Sequence, residues 1–163
     1  MKKTILIISL TAAVLIGLLW WGSQNTISRP SGNQLSSQSP LAISESLYDF
    51  GTISMAKGNV NHIFAITNLT NKDIVVSDIT TSCMCTSAYI VDGNSKQGPF
   101  GMVGMGYVPK ANLLIKAGET KNIDVVYDPN AHGPAGVGLI DRFVYLSGVE
   151  GATQLEIKAV VTP

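Results

Sequence analysis

Val60-Asn61-His62-Ile63-Phe64-Ala65-Ile66-Thr67-Asn68 places Val60, His62, Phe64 and Ile66 at one parity and Asn61, Ile63, Ala65 and Thr67 at the other. Side chains of a strand point alternately to its two faces, so this spacing predicts a β-strand with one face in a core. The polar run Asn68-Leu-Thr-Asn-Lys72 then turns the chain. Asp73 to Ile79 reads as a second strand, and Leu113 to Ile115 as a strand end before an Ala117-Gly118 turn. Lys121 to Tyr127 alternates again, with Ile123, Val125 and Tyr127 on one face. Arg142 to Ser147 and Leu155 to Val161 complete the set. Helical periodicity longer than about two turns is absent from this part of the sequence. Short strands so spaced predict an all-β fold, an immunoglobulin-like β-sandwich of about seven strands.

Ahead of the strands the composition changes. Lys2 and Lys3 precede an uncharged run from Thr4 to Trp21 that ends in Trp20-Trp21. A helix of that length spans roughly 27 Å, close to the thickness of a bilayer core. Lysines at one end and tryptophans at the other suit its two interfaces. The sequence therefore predicts an N-terminal transmembrane signal-anchor over 1–21, with its N-terminus cytoplasmic and the domain outside, periplasmic or at the cell surface. Cleavage as a signal peptide is the competing reading. Residues 22–40, rich in Ser, Asn, Gln and Pro, read as a flexible linker that cannot build a core. The folded domain is expected over 41–163. There, eight Lys/Arg face eleven Asp/Glu, a net charge of −3. That balance, with no basic patch, argues against nucleic acid as a partner.

The chemistry-bearing residues are concentrated. Ser82-Cys83-Met84-Cys85-Thr86 holds the only two cysteines, and Gly98-Pro-Phe-Gly-Met-Val-Gly-Met-Gly106 adds Met102 and Met105. Residues i and i+2 of a regular strand have Cα atoms about 6.7 Å apart with parallel Cβ atoms, so a disulfide between Cys83 and Cys85 needs a tight turn. A shared metal ion spans two thiolates without one. Soft thiolate and thioether donors select Cu(I), with imidazole compatible. The candidate metal set is Cys83, Cys85, Met102, Met105 and His132, the last in the loop Asn130 to Gly138. Buried, inert cysteines with methionines covering apolar surface are the simpler reading, and thiol–disulfide chemistry is a third. His62 shares the parity of Phe64 and reads as a core or edge residue. The stretch from Val91 to Asn112 reads as a long loop.

The order Tyr48-Asp-Phe-Gly-Thr-Ile53, Val60 to Asn68, Ser82-Cys-Met-Cys-Thr86, Ala117-Gly118-Glu119 and Val125-Val-Tyr-Asp-Pro129 resembles the bacterial domain-of-unknown-function family numbered 1573. It is similar in plan to Hydin-type immunoglobulin-like domains. The resemblance implies a β-sandwich, commonly exported or membrane-attached, with no established activity. Two departures stand out. Met84 occupies the place between the cysteines where the family usually has glycine, and the stretch from Ala88 to Lys116 is longer than the family's loop. Both departures add sulfur donors.

Thr81-Ser82-Cys83 with Arg142 downstream superficially resembles the cysteine strand of sortase-like transpeptidases. A nucleophile needs a base within hydrogen-bond reach, and no spacing in the sequence supplies one. No catalytic residue is therefore expected. The functional expectation is a non-enzymatic, membrane-anchored binding or scaffold module with an envelope protein as partner. A Cu(I)-type binding or delivery protein and a thiol–disulfide redox protein are the alternatives.

Overall fold

The computed structural model describes residues 39–163. The expected anchor over 1–21 and nearly all of the expected linker lie outside them. Among the described residues no helix is long and apolar enough to cross a membrane.

Ten strands form two five-stranded sheets. They are β1 (Leu41–Ile43), β2 (Leu47–Ser54), β3 (Val60–Asn68), β4 (Ile74–Thr81), β5 (Thr86–Asp92), β6 (Ser95–Phe100), β7 (Leu113–Ile115), β8 (Thr120–Tyr127), β9 (Gly138–Gly148) and β10 (Gly151–Thr162). One sheet runs β1-β3-β8-β5-β6 and the other β2-β10-β9-β4-β7. All pairings are antiparallel except β2 with β10. The β-sandwich is therefore as expected, with three strands more than the alternation suggested. β5 buries Thr86, Ala88 and Ile90 in strict alternation. β6 is polar along most of its length and is a strand because it pairs with β5, not because it buries a face. The expected long loop after Val91 thus contains a hairpin, and only Gly101 to Asn112 is irregular.

The inner faces supply one core. Phe64 and Ile66 of β3 and Ile123 and Val125 of β8 share it with Ile79 of β4, Leu146 of β9, and Leu155 and Ile157 of β10, each at most 1% exposed. Burying each such side chain contributes about 1.5–3 kcal/mol. Asn68 closes the end of β3 without leaving the core. Its amide nitrogen donates to the carbonyls of Lys72 (2.7 Å) and Ile115 (2.9 Å), and its amide oxygen accepts from the Thr70 N–H and hydroxyl.

One irregularity positions the site. β4 is bulged against β9 between Val76 and Asp78. Burial shifts from Ile74 and Val76 on one side of the bulge to Ile79 and Thr81 on the other. Such a bulge re-aims the residues that follow it. The backbone crowds here: a Cβ on Gly148 would collide with the Val75 carbonyl oxygen, so only glycine fits. Beyond Thr81 the chain leaves one sheet and enters the other at Thr86, with Ser82 to Cys85 as the whole crossover.

Candidate functional site

The crossover is pinned at Ser82, Cys83 and Cys85, while Met84 is exposed. Thr81 is 4% exposed. Its hydroxyl lies 2.9 Å from the Cys83 carbonyl and 3.1 Å from the Thr86 carbonyl and shares its one proton between them. The Ser82 N–H donates to the Phe143 carbonyl, and the Phe143 N–H donates back to the Ser82 hydroxyl, both at 2.9 Å. The Thr86 N–H donates to the Cys83 carbonyl (3.1 Å), and the Asp128 N–H donates to the Cys85 carbonyl (2.9 Å). The four-residue path thereby bends into a turn instead of extending β4.

The bend corrects the strand geometry assumed from the sequence. Cys83 and Cys85 have Cα atoms 5.2 Å apart and are joined by a disulfide. That separation is in the usual range for the bond, and a regular strand would have exceeded its comfortable part. No free cysteine remains among the described residues.

The two sulfurs sit in different surroundings. Cys85 is 2% exposed, in the core cluster, whereas Cys83 is only partly buried at its margin. His132 Nε2 lies 3.2 Å from Cys83 Sγ. His132 is exposed and stands just before the short 3-10 turn Gly133–Gly136. The loop between Tyr127 and that turn is held by the Asp128 carboxylate, which accepts from the Asn130 N–H at 2.8 Å. On the other side Arg142 Nε donates to Cys85 Sγ at 3.3 Å, and its Nη1 donates to the Asp141 carbonyl at 2.9 Å. Tyr127, 1% exposed, lies near enough to feel Arg142. Burial raises the Tyr127 phenol above its ordinary value, with Arg142 working in the opposite direction, so it is neutral at physiological pH.

Of the five residues proposed as metal ligands, the fold brings three together. One donor atom each from Cys83, Cys85 and His132 lies within 4.8 Å of the others. Met102 and Met105 instead line a groove with Met84, Thr86, Pro99 and Tyr107. Neither cysteine lines that groove, and Met84, Met105 and Tyr107 are exposed beside it. His62 is elsewhere: its ring stacks on Tyr48 at 3.6 Å and its Nε2 lies 3.0 Å from a Glu45 carboxylate oxygen. Arg142, which the sequence offered only through the sortase-like comparison and which is the only arginine of 41–163, is placed against Cys85 and not against Cys83.

Fold and site together define a two-sheet β-sandwich with a histidine- and arginine-flanked disulfide where the chain crosses between sheets. Residues 41–113, which include both cysteines, match the family described as "Protein of unknown function (DUF1573)", which supports the resemblance drawn from the motifs. No curated protein matches the chain. Among solved structures, it is similar to a protein of unknown function from Porphyromonas gingivalis W83, with a TM-score of 0.53 and 13% identity over 74% of this chain and 46% of that one. It is also similar to the VesB protease of Vibrio cholerae, with a TM-score of 0.45 and 16% identity over 76% of this chain and 32% of that one. The chain thus spans less than half the length of either. At such identity the Porphyromonas protein shares a fold with this chain, and the likeness carries no function across.

Proposed function

We propose that this chain is a membrane-anchored, extracytoplasmic immunoglobulin-like module whose Cys83–Cys85 disulfide exchanges with dithiols of envelope proteins. The observation that carries the reading is the unequal setting of the two sulfurs. An exposed sulfur is the one an incoming thiolate can reach, and a sulfur held by a cation is the better leaving group. Cys83 is the more open of the pair, and Cys85 is buried against Arg142.

A thiolate of the partner attacks Cys83 Sγ. The Cys83–Cys85 bond breaks, Cys85 leaves as a thiolate beside the Arg142 guanidinium, and a mixed disulfide joins Cys83 to the partner. The partner's second thiolate then attacks its own sulfur in that mixed disulfide and releases Cys83 as a thiolate within reach of His132 Nε2. The partner dithiol loses two electrons and becomes a disulfide, and this chain gains them as two thiols. The disulfide of a further partner must then take the two electrons back by the same exchange and restore the Cys83–Cys85 bond. An oxidising compartment outside the cytoplasm suits a resting disulfide.

A staple is the competing use of the bond, and its size argues against that use. The loop closed contains only three residues. In the chain-entropy treatment such a loop contributes about 1.6 kcal/mol, roughly half of what a 15-residue loop gives.

Trapping tests the reading. The Cys85→Ser chain, incubated with an excess of oxidised glutathione, is expected to form a mixed disulfide at Cys83, detected as an added mass on the intact protein. The Cys83→Ser chain is expected to form none at buried Cys85 while folded. Equal capture at both positions, or a wild-type disulfide that resists dithiothreitol in the native protein, would overturn it.

A further inference from the structure

We infer that opening the Cys83–Cys85 bond creates a mononuclear Cu(I) site whose ligands are the two thiolates and His132 Nε2. The inference rests on the exchange reading above, because a dithiol must first deliver two electrons to the disulfide and itself become oxidised. It goes further in giving the reduced state a ligand of its own.

Three observations support it. The first is distance. Donors about 2.0–2.3 Å from one ion in a trigonal plane stand roughly 3.5–4 Å apart. The Cys83, Cys85 and His132 donors already lie within 4.8 Å of one another, and Cys83 Sγ is 3.2 Å from His132 Nε2. Once the covalent bond is gone, the sulfurs need only separate to the spacing an ion requires. Little of the backbone need follow them: the Cys83 and Cys85 carbonyls and the Ser82 N–H are bonded to Thr81, Thr86, Asp128 and Phe143, and only the Cys85 N–H, which donates to Cys83 Sγ at 3.3 Å, is tied to a sulfur.

The second is charge. Two thiolates and one Cu(I) leave a net charge of −1, which the Arg142 guanidinium on Cys85 Sγ offsets. A divalent ion with the same ligands would be neutral and would have no use for the guanidinium on Cys85 Sγ, whose charge the neighbouring Asp141 carboxylate also feels. The site therefore favours a monovalent soft cation over Zn(II), although thiolates and imidazole alone would suit either.

The third is access. His132 is exposed and Cys83 partly so, which opens one side of the ligand set to solvent while Cys85 closes the other. Met102 and Met105, in their own groove with Met84, are not ligands in this arrangement.

The test is an anaerobic competition titration of the full chain against a chromophoric Cu(I) chelator, with thiols counted by alkylation in the same samples. The dithiothreitol-reduced chain is expected to bind one Cu(I), and the oxidised chain to lose that binding. His132→Ala, a change at an exposed position, is expected to weaken it. Arg142→Gln should weaken it by roughly 10-fold, as loss of a partner to a metal ligand commonly does, while leaving Zn(II) affinity unchanged or raised. Met102→Leu with Met105→Leu should leave it unchanged. If the thiols never appear under dithiothreitol, the exchange reading falls and takes this one with it. If two thiols appear and no Cu(I) binds, or if binding is indifferent to His132, this inference alone is overturned. Tighter binding of Zn(II) than Cu(I) by the wild type would refute the charge argument.

Discussion

Reducing the Cys83–Cys85 bond should leave the domain folded. Release of the three-residue loop costs about 1.6 kcal/mol in the chain-entropy treatment. The expected domain, about 120 residues long, unfolds with an entropy near 2.1 cal/mol/K per residue, so that loss corresponds to a fall in Tm of about 6 °C. The turn does not depend on the bond. The Thr81 hydroxyl, the Ser82–Phe143 pair of hydrogen bonds, and the Asp128 N–H hold the same backbone with the sulfurs apart. The assay is a pair of thermal melts followed by circular dichroism, oxidised and fully reduced, with thiols counted before and after. A fall near 6 °C with an unchanged near-ultraviolet spectrum is the expected result. Loss of the near-ultraviolet signal at 25 °C on reduction, or a fall above about 15 °C, would make the disulfide a structural staple and refute the reasoning behind reversible exchange.

Asn68→Ala should destabilise by about 2 kcal/mol in urea denaturation, because it strips the Ile115 carbonyl of the buried amide donor and leaves the Lys72 carbonyl only the Thr70 hydroxyl; a loss below about 0.5 kcal/mol would show that water replaces the amide. Gly148→Ala should cost about 2 kcal/mol, since the added Cβ must push the Val75 carbonyl out of the β4 bulge; an unchanged urea midpoint would contradict the crowding. Glu119 accepts from Lys121 Nζ and from the Lys116 N–H, which hold its carboxyl below the ordinary 4.5. A lowered folded value means its contribution is complete above that ordinary value and is lost as pH falls through the folded one. Glu119→Gln should therefore flatten the acid limb of a stability–pH curve, and an identical limb in the variant would show that other carboxylates govern it.

The alternation in β3 and β8 was legible because apolar residues mark the core face: Phe64, Ile66, Ile123 and Val125 fall at the predicted parity, and the one buried residue on the far side of β8 is the polar Asp124. β6 was not legible, since it is held by pairing with β5 across the Gly93-Asn94 hairpin and its Ser95-Lys-Gln-Gly98 run buries nothing and so leaves no hydrophobic trace. β5 buries Thr86, Ala88 and Ile90, a small and partly polar set whose alternation is weak in the sequence. The residue types of the candidate site were legible as well. Their arrangement depended on a bulge at Val76 to Asp78 and on a four-residue turn, and neither has a sequence signature. A straight strand through Ser82 to Thr86 would have kept the sulfurs parallel and apart. The nearness of Arg142 to Cys85 arises from β9 lying beside β4, a long-range pairing that no local spacing announces.

The order of the strands has a consequence for how such modules crowd together. Unpaired strand edges invite the edges of other molecules. Here two of the four edges, β1 and β7, are only three residues long. A third, β6, carries Pro99, which has no N–H to offer, and Lys96, whose ammonium reaches back to the buried Asp124 at 2.8 Å. On the fourth, β2, the Gly51 N–H is taken by the Asp49 carboxylate at 2.8 Å. Sideways growth into ribbons is discouraged on every flank, so copies held at high density on one surface can stay separate. What they leave open to a neighbour is the tip, where the chain crosses between its sheets.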